Sequence, residues 1–374
     1  MDARIAILRR SCGAYLLDRP DPELPELCSE AAFRPARQTI AANRLWRAVE
    51  RGIVRSGGQL PRVAASEFRA ARAQAMMGNL RLVELARHAV GSLEAAGIRA
   101  VVFKGPFLNR QLHGDPFFRR SSDLDLLVSR KQFREAIHVL EKDGFLSRRE
   151  AVSRWWVHGL GEVHLRHRTG GTIDLHHRVQ QPGCPLARRS VDFLRAVPQL
   201  HEVDGTKIPT LRPRIALALS ALNLLKGLMK RQPSGHYALD VAGGALALDE
   251  AELAQLGEFA HRQGLLQSMK LALATAAKTF DVHLPLPAIL RSDAGAALAL
   301  HPDWPVETMV LEPDRAGLDL PRRRRLLWAM SEGSQPFARA ANFTRDAVQA
   351  LASETLRMIT NPDPPARVRV DQPT

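Results

Sequence analysis

The chain has 374 residues, 45% hydrophobic and 25% charged, a balance that excludes a disordered polypeptide and gives room for two or three globular domains. Lys plus Arg outnumber Asp plus Glu by 53 to 39, a net charge of +14 that favours anionic partners such as nucleotides, nucleic acid or a membrane surface without choosing among them. Three scattered cysteines (Cys12, Cys28, Cys184) with no CxxC, and no window near the roughly 20 apolar residues of a membrane span, exclude a zinc centre, a disulfide scaffold and a transmembrane helix. The N-terminal stretch has no apolar core followed by a small-residue cleavage site, so a cytoplasmic location is expected.

Residues 1–35 are punctuated by Pro20, Pro22, Pro25 and Pro35, and one short helix before a loop is expected there. Apolar residues then recur at helical spacing from Ala36 (Ile40, Leu45, Val49, Ile53), and the proline-free run from Ala65 to Ala96, closed by Gly97, predicts a long helix. RAVVFKG is a short β-branched run ending at glycine and predicts a buried strand. PFLNRQLHG predicts a two-turn helix with Pro106 at its first position. After the loop DPFFRRSS, DLDLLV predicts a second strand and RKQFREAIHVLEKDGF a helix with Phe133, Ile137 and Leu140 on one face. GEVHLRHRT and GTIDLHHRV predict strands paired around Thr169-Gly170-Gly171, and Asp204-Gly205 in LHEVDGTKIPTL predicts a further hairpin. From Pro213 the chain reads as helical, over about 213–229, 237–247, 250–264, 266–280, 286–299, 322–331 and 337–360. The expected fold is α+β: an N-terminal helical region over 1–75, a small mixed-sheet α/β core over 76–211, and a C-terminal helical domain over 212–374 with a loose tail.

The stretch SSDLDLLVSR carries the first chemical signal. In a strand, alternate side chains point to opposite faces, so Asp123, Asp125 and Leu127 share one face and Leu124, Leu126 and Val128 the other. Crowded carboxylates are costly unless something positive lies between them. Two of them on one strand face are spaced to bind one Mg²⁺, a hard ion that takes oxygen ligands. Asp174, between Ile173 and Leu175 in a second apolar strand, offers the third carboxylate that a two-metal site requires. Taken alone, the Asp123/Asp125 pair reads as turn-capping residues and Asp174 as an edge-strand or salt-bridged residue; the ordered combination carries the signal.

The run VVFKGPFLNRQLHGDPFFRRSSDLDLLV, followed by TIDLHH, resembles the uncharacterised nucleotidyltransferase family, a Lys-Gly / Ser-Asp-x-Asp branch of the polymerase-beta-type superfamily. The motifs lie within residues 99–178 and the resemblance extends over about residues 70–250. It implies a nucleotidyltransferase core in which Asp123, Asp125 and Asp174 hold two Mg²⁺ ions, with Mn²⁺ as an alternative, on a nucleoside triphosphate. An acceptor oxygen would attack the α-phosphorus and pyrophosphate would leave. Lys104-Gly105 occupy the place where better-known members carry Gly-Ser; lysine replaces a hydroxyl contact with a point charge, and Gly105 permits close backbone approach. Ser122 opens the metal-strand motif. Arg119 reads as a second phosphate clamp or as a solvated loop arginine, and His176 as an orienting group on the Asp174 face or as a satisfied core histidine. Asp240 matches a position where the branch often has Asp, with a structural helix contact as its first reading.

PRRRRLL (321–327) reads as a solvated helix start or as a nucleic-acid or anionic-lipid patch, and Trp155 and Trp156 lie near the site in sequence, with core packing expected of at least one. The acceptor is expected to be a small molecule, peptide or protein rather than RNA, because no RNA-reading strand motif is visible. Two other functions fit a DxD-bearing basic chain: a non-catalytic nucleotide or RNA-binding module, and a glycosyltransferase. The second calls for a larger nucleotide-binding α/β region ahead of the motif, where this sequence reads as helix.

Overall fold

The computed structural model describes residues 2–147, 161–178, 199–291, 306–313, 320–333 and 335–360. Four helices lead the chain: α1 (Ala3–Leu16), α2 (Leu24–Leu27), α3 (Glu30–Ala42) and α4 (Trp46–Arg55). They correct the expectation of one short helix over 1–35. Pro25 sits in the first turn of α2, where its missing N–H costs nothing, but Pro35 lies inside α3. There it removes a helical hydrogen bond, at a cost of about 3 kcal/mol. Against that, α3 is capped by Ser29 and fully buries Phe33, Ala36 and Ile40. A buried large apolar side chain contributes about 1.5–3 kcal/mol, so packing outweighs the proline.

The long helix α5 (Arg62–Ala95) runs unbroken through residue 75, where the sequence reading placed its first boundary. It leads into β1 (Ala100–Val102), α6 (Pro106–His113), β2 (Leu124–Val128), α7 (Phe133–Lys142), β3 (Phe145–Ser147), β4 (Glu162–His167), β5 (Thr172–His176), β6 (Gln199–Val203) and β7 (Thr206–Thr210). The strands form one mixed seven-stranded sheet in the order β3-β4-β5-β2-β1-β7-β6. β2 runs parallel to β5 and antiparallel to β1, while β1 is parallel to β7. The β6–β7 hairpin turns on Asp204 and Gly205, both at positive φ, as the two-residue turn signal predicts. Trp155 and Trp156 lie outside the described residues.

Strand alternation sorts the apolar side chains into two cores. Leu124, Leu126 and Val128 of β2, Ile173 and Leu175 of β5, and Val163 and Leu165 of β4 pack with the C-terminal half of α5 and with α7. Val101, Phe103 and Leu127 face the other way, into a larger cluster. That cluster joins α1, α3 and α4 to α8 (Pro213–Lys230), α9 (Gly235–Ala247), α10 (Glu250–Gln263) and α11 (Leu266–Phe280). The leading and trailing helices thus share one core above one face of the sheet. Among the described residues three helices follow: α12 (Val306–Leu311), α13 (Leu320–Met330) and α14 (Pro336–Thr360). The helix expected over 286–299 does not form in residues 286–291, and the rest of it lies outside the described residues. PRRRRLL falls within α13, with Arg324 and Arg325 exposed and Leu326 and Leu327 buried, so the run opens a helix whose apolar side packs. No helix among the described residues is long and apolar enough to cross a membrane.

Candidate metal centre

Sheet register builds the site. Asp125 of β2 lies opposite Asp174 of β5, which lies opposite His164 of β4; one step on, Leu127, His176 and Glu162 form the next row. Since Leu124, Leu126, Ile173, Leu175, Val163 and Leu165 point into the α5 side, the polar members of both rows project from the opposite face. Ligand atoms of Asp125, Asp174 and His176 all lie within 4.8 Å of one another. Two carboxylates and an imidazole at that spacing fit a divalent cation. Asp123, immediately before β2, stands beside this group rather than within it. Burial, and then the charges of Asp125 and Asp174, push its carboxyl above the usual range.

Asp125 is the electrostatic centre of the floor. Its Oδ1 accepts from Lys104 Nζ at 2.7 Å and from His176 Nε2 at 3.2 Å. Burial alone would raise this carboxyl, but the Lys104 ammonium and His176 outweigh it and hold it well below the usual carboxylate range. Burial likewise opposes the Lys104 charge, which Asp125, Tyr237 and Asp123 keep above the ordinary lysine value. Behind His176, Nδ1 lies 3.5 Å from Glu162 Oε2. On Asp174, Oδ1 is 2.5 Å from His164 Nδ1, a bond that raises the His164 imidazole.

Lys104 and Asp123 reach the floor through the Gly105 turn and the loop 115–122. Gly105 joins β1 to α6 at φ +74° and ψ −150°, a region open essentially to glycine alone. The loop 115–122 is held by two buried amides. Asn79 Nδ2 donates to Pro116 O (2.7 Å) and Arg119 O (2.9 Å), and Asn109 Nδ2 donates to the same Arg119 O (2.9 Å). Asn79 Oδ1 in turn accepts from Ser121 N at 3.0 Å, which fixes the two residues leading into Asp123.

Of the residues singled out from sequence, Lys104, Gly105, Arg119, Ser122, Asp123, Asp125 and Asp174 all line one cleft of about 200 Å³. His176 stands on its floor through Asp125. Arg119 is committed elsewhere: Nη1 and Nη2 donate to both carboxylate oxygens of fully buried Asp240 at 2.5 and 2.6 Å. His113 Nε2 donates to the same Asp240 at 2.8 Å, and Tyr15 Oη donates to His113 Nδ1 at 3.1 Å. Asp240 thereby has the helix contact expected of it, with its carboxyl far below the usual range despite burial. Sequence reasoning missed the cleft's other wall, made by Ser220 and Asn223 of α8 and His236 and Tyr237 of α9, for which no local signal exists. It also missed Glu162 and His164, although counting back from the Gly170 turn places His164 opposite Asp174.

The cleft lies between a mixed sheet and a helical layer, floored by carboxylates and imidazole on adjacent strands and flanked by a lysine–glycine turn, in an α+β protein whose floor could hold a divalent cation. A family model described as uncharacterised nucleotidyltransferase matches residues 31–281, most of the chain, and the chain belongs to that family. The match extends beyond both ends of the motif region and takes in α3, α4 and the helices through α11. A comparison with curated proteins gives no match. Among solved structures, the crystal structure of an antigenic nucleotidyltransferase-like protein from Paracoccidioides brasiliensis is similar at 20% identity and a TM-score of 0.31, covering 52% of this chain and 92% of that one.

Proposed function

We propose that the chain is a divalent-metal-dependent nucleotidyltransferase, moving an NMP from an NTP to a hydroxyl or phosphate of a small molecule, peptide or protein. The observation that carries this reading is the parallel β2–β5 register, which brings Asp125, Asp174 and His176 within 4.8 Å of one another at the floor of the cleft. In a family whose members are described as nucleotidyltransferases, the two carboxylates of that donor set suit Mg²⁺ or Mn²⁺. Asp125, Asp174 and His176 would hold the ion, with Asp123 alongside, and the ion would neutralise phosphate charge as it develops.

The chain's own residues supply positioning. The buried-amide clamp fixes Asp123, and the Gly105 turn carries Lys104 and leaves the backbone open for phosphate oxygens. Lys104 offers a point charge to the triphosphate beside Asp125. Tyr237 and His236 on α9 face the cleft from the helical side, where a nucleoside would lie against them. An acceptor oxygen then forms a bond to the α-phosphorus while the bond to pyrophosphate breaks, and the acceptor's proton passes to solvent or to a carboxylate. Residues 2–99 contain helices and loops but no strand, an arrangement that does not favour the glycosyltransferase alternative.

The test is incubation of purified protein with each NTP and Mg²⁺ or Mn²⁺, following pyrophosphate release and mass gain on acceptors supplied as cell extract. Asp123→Ala and Asp174→Ala should each abolish metal-dependent turnover. Full activity in either variant overturns the assignment, and metal-independent NTP or RNA binding without turnover returns the chain to the binding-module reading.

A further inference from the structure

Arg44, Arg119, Arg120 and Ser122 line two cavities at once. One is the metal cleft. The other, about 350 Å³, lies between α3–α5 and the 115–122 loop, and neither Asp125 nor Asp174 reaches it. Its size falls within the range of small-molecule sites, about 300–1,000 Å³. Trp46, Phe68, Phe117 and Phe118 supply aromatic walls. Trp46 stands edge-on to Phe68 with ring centroids 4.8 Å apart, so these two rings pack against each other.

The polar side of the cavity is strongly cationic. Among five arginines in the lining, Arg47 is paired with Glu50 and Asp115, and Arg119 with Asp240. Arg44, Arg72 and Arg120 are exposed and have no carboxylate partner among the described residues. Glu50, the one carboxylate in the lining among the described residues, is spent on Arg47. Arg44 is held at φ +55° just past the end of α3, so its side chain lines the junction of both cavities. Guanidinium groups around an aromatic wall suit a ligand with a flat apolar ring and an anionic group, by stacking and by charge.

We propose that this cavity is the acceptor site, and that the acceptor is a small molecule with a planar apolar body bearing a phosphate or carboxylate. The word acceptor rests on the nucleotidyltransferase reading; the ligand chemistry does not. A triphosphate must reach Asp125 and Asp174, which this cavity does not contain, whereas an acceptor needs only to present one oxygen at the shared mouth formed by Ser122 and Arg120. The nucleotide therefore belongs to the metal cleft and the second substrate to the aromatic one.

The test uses phenyl phosphate as the probe, titrated into the full chain by calorimetry without NTP or metal, with phenol and inorganic phosphate as fragments. Phenyl phosphate should bind at least tenfold tighter than either fragment. Arg72→Glu should weaken it at least tenfold, and Ala71→Trp, which places an indole in the cavity, should abolish it. Neither residue lines the metal cleft, so binding of a non-hydrolysable NTP with Mn²⁺ should stay as in the parent, and circular dichroism melting controls for folding. Benzoate in place of phenyl phosphate separates a carboxylate from a phosphate ligand. Phenyl phosphate binding no tighter than inorganic phosphate, insensitive to Ala71→Trp, or displaced by the NTP overturns the proposal. Failure of the parent chain to bind NTP with metal sinks the nucleotidyltransferase reading instead, leaving the phenyl phosphate titration to decide the cavity.

Discussion

Replacing Asp240 by Asn should destabilise the fold far more than an ordinary surface change. The carboxylate is fully buried, accepts both forks of Arg119 and a third bond from His113, and ties α9 to the loop that leads into Asp123. Arg119 is itself only 11% exposed, so Asp240→Asn leaves a guanidinium charge without its counter-ion in a dry setting. Breaking a buried pair in this way costs about 3–5 kcal/mol. The double variant Arg119→Met/Asp240→Leu removes both charges together. It should recover most of the loss and retain about 1 kcal/mol for the His113 donor left unpaired. Urea unfolding followed by far-ultraviolet circular dichroism at pH 7 gives the cycle, and hydrogen exchange at Ser121 reports whether the loop loosens in Asp240→Asn. A loss under about 1 kcal/mol in the single variant, or a double variant as unstable as the sum of its singles, would refute the buried-pair reasoning.

Asp125→Asn and Asp174→Asn should each lower Mn²⁺ affinity by about 100-fold or more in calorimetric titration, at or beyond the effect of losing an outer-shell partner; unchanged affinity removes the metal centre from this floor. His236, buried and beside Arg119, titrates at about 3 in the folded chain, below its ordinary value, because burial and then that charge disfavour the imidazolium. Its contribution is complete above about pH 6.5 and is lost as pH falls toward 3, at about 1.4 kcal/mol per unit, so His236→Gln should lose about 2 kcal/mol less than the parent between pH 6.5 and 5. Parallel stability curves would contradict this. Gly105→Ala should lower stability by about 1–3 kcal/mol, read as a drop in melting temperature, since φ +74° with ψ −150° excludes a Cβ; an unchanged melting temperature would mean that the β1–α6 turn relaxes.

Local periodicity made much of the core legible. Alternation in DLDLLV and TIDLHH placed both carboxylates and His176 opposite the apolar face, and the two glycine turns fixed the hairpins, because these signals act within a few residues. Pro35 misled because the burial that overrides it comes from distant helices. Arg119 was ambiguous for the same reason: its partner lies 121 positions away on α9, and no spacing rule links a loop arginine to a helical aspartate. The aromatic cavity was wholly invisible, since its walls come from α4, α5 and the 115–122 loop, which only the tertiary fold brings together.

Lys104 is where sequence and structure together sharpen the chemistry. Its ammonium donates to Asp125 Oδ1, an oxygen of the same carboxylate that belongs to the proposed metal-binding group, so on that proposal lysine and cation would compete for one side chain. A serine at this place would leave that carboxylate to the metal and offer phosphate only a neutral hydroxyl. On the proposed reading, lysine would weaken the first interaction and strengthen the second, since an ammonium repels a cation and attracts a triphosphate. Lys104→Met should therefore tighten Mn²⁺ binding in the absence of nucleotide by about tenfold, a modest figure because the side chain is 31% exposed and solvent screens it. The same variant should weaken binding of a non-hydrolysable NTP, measured by competition calorimetry at saturating Mn²⁺. The opposed signs are the point of the experiment: a residue with a purely structural role would weaken both, and one held away from the phosphates would leave the nucleotide untouched.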